Sequence, residues 1–316
     1  MRCLCCNKEL TSKDTSYWHR TCINKFFSSD ELPSLDLTKE NLELITKTNI
    51  GHGYTVPGVQ KKLSLNISSS KNNKRLTLVN YPSGYILKPQ VDDFSFLPEA
   101  EFLIMSLADM VNIKTVPHGL IKLNDGEYAY ITKRIDRVMN KNEKRLIAME
   151  DFCQLGLRQS SDKYHGSYEK CAKIISLYSS QVGLDLSELF YRLIFFYITG
   201  NSDMHLKNFS LIENNGRYIL SPAYDLVPVN AIMIEDKEEL ALTLNGKKQH
   251  LRKGDFIKFG LSIGLNESSM NKMIKYLISF EDKFIKEVSI SLINDQQKEN
   301  LINIIKDRIN NLKQED

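Results

Sequence analysis

The chain has 316 residues, room for roughly two domains at about 150 residues each, and its 42 Lys+Arg nearly balance 39 Asp+Glu, for a net charge of +3. That balance excludes a protein whose main task is to coat nucleic acid, which needs a strong basic excess. A hydrophobic content of 42% and a charged content of 26% exclude a disordered chain.

No apolar run reaches the roughly 18 residues that a membrane span needs. Leu189 to Thr199 is shorter and is broken by Arg192, and Met1-Arg2-Cys3-Leu4-Cys5-Cys6 lacks the apolar stretch of a signal peptide. The reading is a cytoplasmic protein in a reducing compartment, with no membrane partner.

Four of the six cysteines lie in the first 22 residues. Cys3-x2-Cys6, then twelve residues, then His19-x2-Cys22 makes a set of three thiols and one imidazole. Two pairs at this spacing suit tetrahedral zinc, because each short loop lets two side chains point at one ion. A segment this short buries no core of its own, so the metal acts as its staple. The expectation is a zinc-knuckle-like leader over residues 1–30, with Cys5 as an alternative ligand or a spare thiol. Cys153 and Cys171 fall among apolar residues of predicted helices and read as buried small hydrophobes.

Ser28 to Asn49 is polar and mixed, a linker with room for a short helix. Leu63 to Ile67 alternates apolar and polar at the strand period. Ser68 to Asn73 turns, Leu76 to Val79 returns, and Pro82-Ser83-Gly84 leads into Tyr85 to Pro89. A helix follows from Leu97, with Pro98 near its start and acidic residues in its first turn. Phe102, Met105, Ala108 and Val111 repeat along it at helical spacing. His118–Leu123 and Tyr128–Thr132 read as strands joined over Asn124-Asp125-Gly126-Glu127, an Asp-Gly hairpin signal.

After Arg137 the patterns are helical: Glu150–Leu157, Ser167–Leu177, Leu186–Thr199, Asn266–Phe280 and Val288–Leu312. One short strand, Asn208–Ile212, interrupts them and turns at Asn214-Asn215-Gly216 into Tyr218–Leu220. The fold class is therefore α+β and bilobal. A sheet-rich N-lobe with one helix covers 31–136, and a helical C-lobe covers 137–316.

Four polar constellations fall in one order. Gly51-His52-Gly53-Tyr54-Thr55-Val56-Pro57-Gly58-Val59-Gln60-Lys61-Lys62 precedes the first strand. Its glycines let backbone approach phosphates and its lysines supply charge. Lys88 ends a strand in an apolar setting, where it can reach a nucleotide phosphate while a helix glutamate such as Glu101 holds it. In Gly200-Asn201-Ser202-Asp203-Met204-His205-Leu206-Lys207-Asn208-Phe209-Ser210, Asp203 and Asn208 are five apart with basic Lys207 between them. Phosphoryl transfer needs a carboxylate to orient the attacking hydroxyl and an oxygen ligand for magnesium, and the protein-kinase catalytic loop uses Asp and Asn at that separation. Finally, Leu220-Ser221-Pro222-Ala223-Tyr224-Asp225 returns an aspartate 17 residues after Asn208, a second magnesium ligand. Together these specify a bilobal kinase that uses ATP and magnesium.

With these residues in place, the chain resembles the HipA-like serine/threonine kinase toxins from about Gly51 to Gly260. The resemblance rests on Gly58–Leu65, Tyr85–Pro89, Glu150-Asp151-Phe152-Cys153-Gln154, Asn201–Ser210 and Ser221-Pro222-Ala223-Tyr224-Asp225-Leu226. It implies ATP-dependent phosphorylation of a protein hydroxyl, with an aminoacyl-tRNA synthetase as the family's kind of substrate, and growth arrest. It also implies a helix-turn-helix antitoxin, and DNA contact only through that partner. By the same resemblance Pro57, Gly58, Val59, Gln60, Lys61 and Lys62 form the phosphate loop and Lys88 contacts ATP phosphates, with Glu101 as its helix glutamate. Lys133, Arg134 and Ile135 match the hinge that receives adenine. Asp203 orients the acceptor hydroxyl, and His205, Lys207 and Tyr224 belong to the nucleotide site. Asn208 and Asp225 hold magnesium.

Three departures stand out. Family members often carry a regulatory serine before the phosphate loop, where this chain has Thr55-Val56-Pro57. Thr55 is the candidate autophosphorylation site, and a phosphate there adds about −1.5 to −2 charge beside the ATP phosphates. Longer toxins begin with a further subdomain, so the expectation is a HipT-like short form whose inhibitor is a separate small subdomain-like antitoxin. The Cys/His leader is the third.

Competing readings are a small-molecule or lipid kinase of the same fold, and a nucleotide-binding pseudokinase or adaptor. A direct DNA-binding protein using Lys247, Lys248, His250, Arg252 and Lys253 is the last.

Overall fold

Period-2 patterning from Leu63 onward becomes a five-stranded antiparallel sheet in the computed structural model, which describes residues 1–14, 16–35, 38, 40, 62–70, 73–78, 84–139 and 144–314. Its strands are β1 (Leu63–Ser70), β2 (Asn73–Leu78), β3 (Tyr85–Pro89), β4 (His118–Lys122) and β5 (Tyr128–Lys133), in the order β2-β1-β3-β5-β4. The strand β1 runs to Ser70 and β2 starts at Asn73, so Ser68–Ser70 and Asn73, expected in a turn, are strand residues. The β4–β5 hairpin forms as expected, with Gly126 at φ 92°, a conformation glycine adopts without steric cost.

Register decides which side chains share a face. Leu63 opposite Leu87, Leu65 opposite Tyr85, and Leu87 opposite Ile131 make one face. Lys88 opposite Tyr130, and Ile86 opposite Thr132, make the other. Helix α1 (Arg20–Phe27) sends Phe26 and Phe27 onto the Tyr85 ring on the first face. Helix α2 (Leu97–Met110) serves the second, with Phe102 edge-on to His118. Phe102, Met105, Ala108 and Val111 are buried, as their spacing predicts. The first face is thus covered by aromatic rings of α1, and Leu63, Leu65, Leu87 and Ile131 on it are fully buried.

The sheet, α1 and the start of α2 up to Phe102 belong to a first unit of Met1–Phe102 and Val116–Leu146. A two-stranded hairpin of β6 (Arg137–Met139) and β7 (Lys144–Leu146) completes it. The helical character expected directly after Arg137 therefore starts later.

The second unit comprises Leu103–Thr115 and Ile147–Asp316. Strands β8 (Met149–Asp151), β9 (Ser210–Asn214) and β10 (Arg217–Leu220) form a small antiparallel sheet. Helices α3 (Phe152–Leu155), α4 (Tyr168–Tyr178), α5 (Val182–Ile198), α6 (Val229–Ile232), α7 (Lys253–Ser262), α8 (Glu267–Ile278), α9 (Glu281–Ser289) and α10 (Asp295–Lys313) supply the rest. Leu193 to Ile198 are all fully buried, so α5 is apolar on every side and forms the core of this unit. Cys153 and Cys171 are buried as expected.

Three expectations need correcting. Glu150–Leu157 is not one helix: Asp151 pairs with Ser210 at the end of β8 and then caps α3, so only Phe152–Leu155 is helical. Asn208 lies in a 3-10 turn (Leu206–Asn208), and the strand starts at Ser210. The C-terminal helix is two, because the Asn294 side chain accepts the Gln297 N–H and starts a new helix. Lys253, the last of the basic residues named for DNA contact, opens helix α7. Among the described residues no helix is long and apolar enough to cross a membrane.

Candidate active site

Helix α5 ends in Thr199, and Gly200 at φ 70° turns the chain out of it. The loop that follows is fastened residue by residue. Asn201, fully buried, accepts the Asp203 N–H on its side-chain oxygen at 3.3 Å. Ser202 donates to Asp236 at 2.6 Å. Asn230 reaches Ser202 and the carbonyls of Asp236 and Glu238, and is itself held by Arg308 at 2.7 Å.

On this base sits Asp203, half-buried. Its carbonyl oxygen accepts the His205 N–H at 2.8 Å and the Asn208 side-chain N–H at 2.9 Å. Its carboxylate Oδ1 accepts the Tyr164 hydroxyl at 2.6 Å. The five-residue separation of Asp203 and Asn208 thus closes a ring through the Asp203 carbonyl. Asn208 spends its amide nitrogen on that bond, so its amide oxygen takes no part in the ring.

His205 is buried, edge-on to the Tyr164 ring at 4.9 Å. Burial holds its pKa below the ordinary histidine range, against the opposing pull of the Asp203 and Asp225 charges. Lys207 pairs with Asp151 at 2.8 Å. The Tyr224 hydroxyl donates to the Lys207 carbonyl at 3.1 Å and contacts Ser210 Oγ at 2.6 Å, and burial pushes its pKa up. Next to it, Asp225 has φ 62°. A non-glycine residue in the left-handed region costs free energy that the surrounding structure must supply, and such residues cluster at functional sites.

The first unit carries the other predicted residues. Lys88 and Glu101, both buried, form an ion pair of 2.6 Å between β3 and α2, and the Tyr130 ring lies 5.3 Å from the Lys88 ammonium. Lys133 ends β5 half-buried, its pKa lowered by that burial. Arg134 makes a two-point contact with Asp136 at 2.9 and 2.6 Å, and Ile135 is half-buried between them. Lys62 immediately precedes β1. Thr55, Pro57, Gly58, Val59, Gln60 and Lys61 lie outside the described residues.

Magnesium takes oxygen ligands, with one or two protein carboxylates completed by phosphate oxygens and water. One amide oxygen from Asn208 and one carboxylate from Asp225 fit that donor set. A buried, paired lysine such as Lys88 offers a fixed positive charge to a phosphate.

A sequence model of the HipA-like C-terminal domain matches residues 54–284. The chain belongs to this HipA-like family. Similar proteins include one from Haemophilus influenzae, provisionally named a kinase. It is 30% identical over 305 residues, covering 88% of this chain and 85% of that protein. A second, Y4dM of Sinorhizobium fredii, also provisionally named a kinase, is 30% identical over 68% of this chain and 54% of its own length. Among solved structures, HipA of the Shewanella oneidensis MR-1 toxin–antitoxin system, in complex with HipB and operator DNA, superposes with TM-score 0.66 at 20% identity, covering 86% of this chain and 69% of that one. The Helicobacter pylori proinflammatory kinase CtkA gives TM-score 0.53 at 13% identity, covering 78% of this chain and 93% of that one. At these identities the likeness is one of fold, and that fold is the kinase-like α+β fold read from the sequence.

Sequence reasoning missed Tyr164 and the role of Asp151. Tyr164 stands 39 residues before Asp203, in a loop with no periodicity to announce it. Asp151 did carry a signal. Asp151-Phe152-Cys153-Gln154 is a capping box, in which Asp151 accepts the Gln154 N–H and Gln154 accepts the Asp151 N–H, both at 2.9 Å.

Proposed function

We propose that the chain is a magnesium- and ATP-dependent serine/threonine protein kinase that acts as the toxin of a toxin–antitoxin pair. The observation that carries this reading is the ring at Asp203 and Asn208. It fixes a carboxylate and an amide in one loop, the carboxylate to orient an acceptor hydroxyl and the amide oxygen to serve as a cation ligand in this reading. In this proposal Asp203 is the catalytic residue, and Asn208 and Asp225 hold magnesium. Lys88, fixed by Glu101, binds ATP phosphates together with the Pro57–Lys62 loop, and Lys133, Arg134 and Ile135 receive adenine.

The protein target is a translation component such as an aminoacyl-tRNA synthetase, in keeping with the family. The partner is a helix-turn-helix antitoxin, which brings the pair to DNA. The Shewanella complex, HipA with HipB and operator DNA, supports this last part.

The test compares the parent chain with Asp203→Asn, with label from ATP incubated in a lysate with magnesium. A positioned general base contributes about 10²- to 10⁴-fold, so label transfer to protein falls by that factor in the variant while its melting temperature holds. Phosphoserine or phosphothreonine in the labelled product supports the specificity. Undiminished transfer by the variant removes the assignment of Asp203, and label appearing only in lipid or small molecules removes the protein-kinase reading.

A further inference from the structure

The leader is tied to the sheet at two points, and each lies beside a pair of soft metal ligands. Leu4, next to Cys3, accepts the Leu120 N–H at 2.7 Å on the open edge of β4. Trp18, next to His19, donates its indole N–H to the Leu120 carbonyl at 2.9 Å. Both backbone groups of one edge residue are therefore taken by the leader.

Between these points the four ligand atoms converge. Those of Cys3, Cys6, His19 and Cys22 all lie within 4.8 Å of one another. Cys6 Sγ is 3.3 Å and Cys22 Sγ 4.0 Å from His19 Nδ1. In a tetrahedral site with zinc–sulfur bonds of about 2.3 Å, neighbouring sulfurs stand about 3.8 Å apart, so the cluster already has the right size.

Three further features fit a metal. His19 Nε2 contacts the Glu9 carbonyl at 3.0 Å, which leaves Nδ1 as the ligand atom. Outer partners of metal-bound histidines hold the ring in this way. The His19 backbone N–H points at Cys3 Sγ at 3.3 Å, a donor that stabilises thiolate charge. Cys22 sits in the first turn of α1, where the helix dipole favours negative charge. Cys5 falls outside the set of four.

We propose that Cys3, Cys6, His19 and Cys22 bind one structural zinc ion, and that this ion locks the leader onto strand β4. Binding displaces the three thiol protons and takes up the neutral imidazole. The ion fixes Leu4 and Trp18 relative to each other, so that both reach Leu120 at once. The proposal stands apart from the kinase reading, since it concerns only the leader and the sheet it covers.

The test uses the full chain, purified after expression in metal-replete medium, with zinc measured by elemental analysis. About one zinc per chain is expected, unchanged in Cys5→Ser and lost in Cys6→Ser/Cys22→Ser. Because that double variant can misfold, the parent chain is also refolded with cobalt. A tetrahedral site with three thiolates then gives intense visible d–d absorption.

Trp18 is the sole tryptophan and is buried, so its emission reports docking directly. Removing zinc with a strong chelator shifts that emission to the red, and restoring zinc reverses the shift. Zinc-free parent protein, or equal zinc in the double variant, overturns the site. Zinc removed without any change in Trp18 emission overturns the locking role.

Discussion

Around Asp203 the carbonyl accepts two donors and the carboxylate a third, so the residue is placed by bonds rather than by packing. Glu99 shows the opposite situation. It is a carboxylate in the first turn of α2, nearly inaccessible to water, and burial, aided by the Glu127 charge, pushes its pKa up to about 7 from 4.5. The folded state therefore keeps this proton where the unfolded chain loses it. Stability from this group is full below pH 4.5 and declines as pH rises to about 7. The loss amounts to at most about 3 kcal/mol at 1.36 kcal/mol per pKa unit. Glu99→Gln is expected to match the parent near pH 4.5 and exceed it at pH 8, measured as urea unfolding free energies. The sequence reading placed Glu99 correctly at the helix start, where the dipole favours its charge. It did not foresee that burial outweighs the dipole, because burial depends on residues distant in the chain.

At the level of elements, β3 and α2 are joined by the Lys88–Glu101 pair, buried at both ends. Removing one partner of such a pair leaves an uncompensated buried charge and costs about 3–5 kcal/mol, whereas replacing both with apolar groups is often neutral. Lys88→Met is expected to lower the unfolding free energy by that amount, and Lys88→Met/Glu101→Leu to recover most of it, as read by urea denaturation. Neither variant is expected to bind ATP, so stability and binding separate in the double variant. The elements themselves were largely legible. The strands around Tyr85 and the β4–β5 hairpin follow period-2 patterning and an Asp-Gly turn, and α2 follows a 3.6-residue repeat. The strands β6 and β7 were not. Each is only three residues long, and such runs carry no measurable period.

On the scale of the whole molecule, the leader is a structural part of the first unit. The leader and the residues that follow it close the sheet: Leu4 occupies the edge at β4, and Ser34 bonds the edge at β2 through the Lys74 carbonyl and the Leu76 N–H, at 3.1 and 2.9 Å. Open edges invite pairing with other chains, and here both are taken by one segment. Gly119 is the contact this arrangement depends on. A Cβ there would lie 2.6 Å from the Trp18 ring and 2.8 Å from the Leu4 carbonyl. Gly119→Ala is expected to push the leader off β4, at a cost of about 1–3 kcal/mol for overpacking. A lower melting temperature and red-shifted Trp18 emission would report it, while a variant with unchanged emission would mean that the leader accommodates the methyl group.

Local chemistry determined much of this protein. Spacing put Asp203 five residues from Asn208, paired cysteines at zinc-like intervals, and alternated apolar residues into strands, because each signal lies within a few residues of chain. Only the tertiary structure decided that Tyr164 bonds Asp203, that Lys207 answers to Asp151, and that Trp18 reads Leu120 across 102 residues. Such pairings are set by sheet register and by which faces must be buried. Those are properties of the packed chain, and no short stretch of sequence contains them.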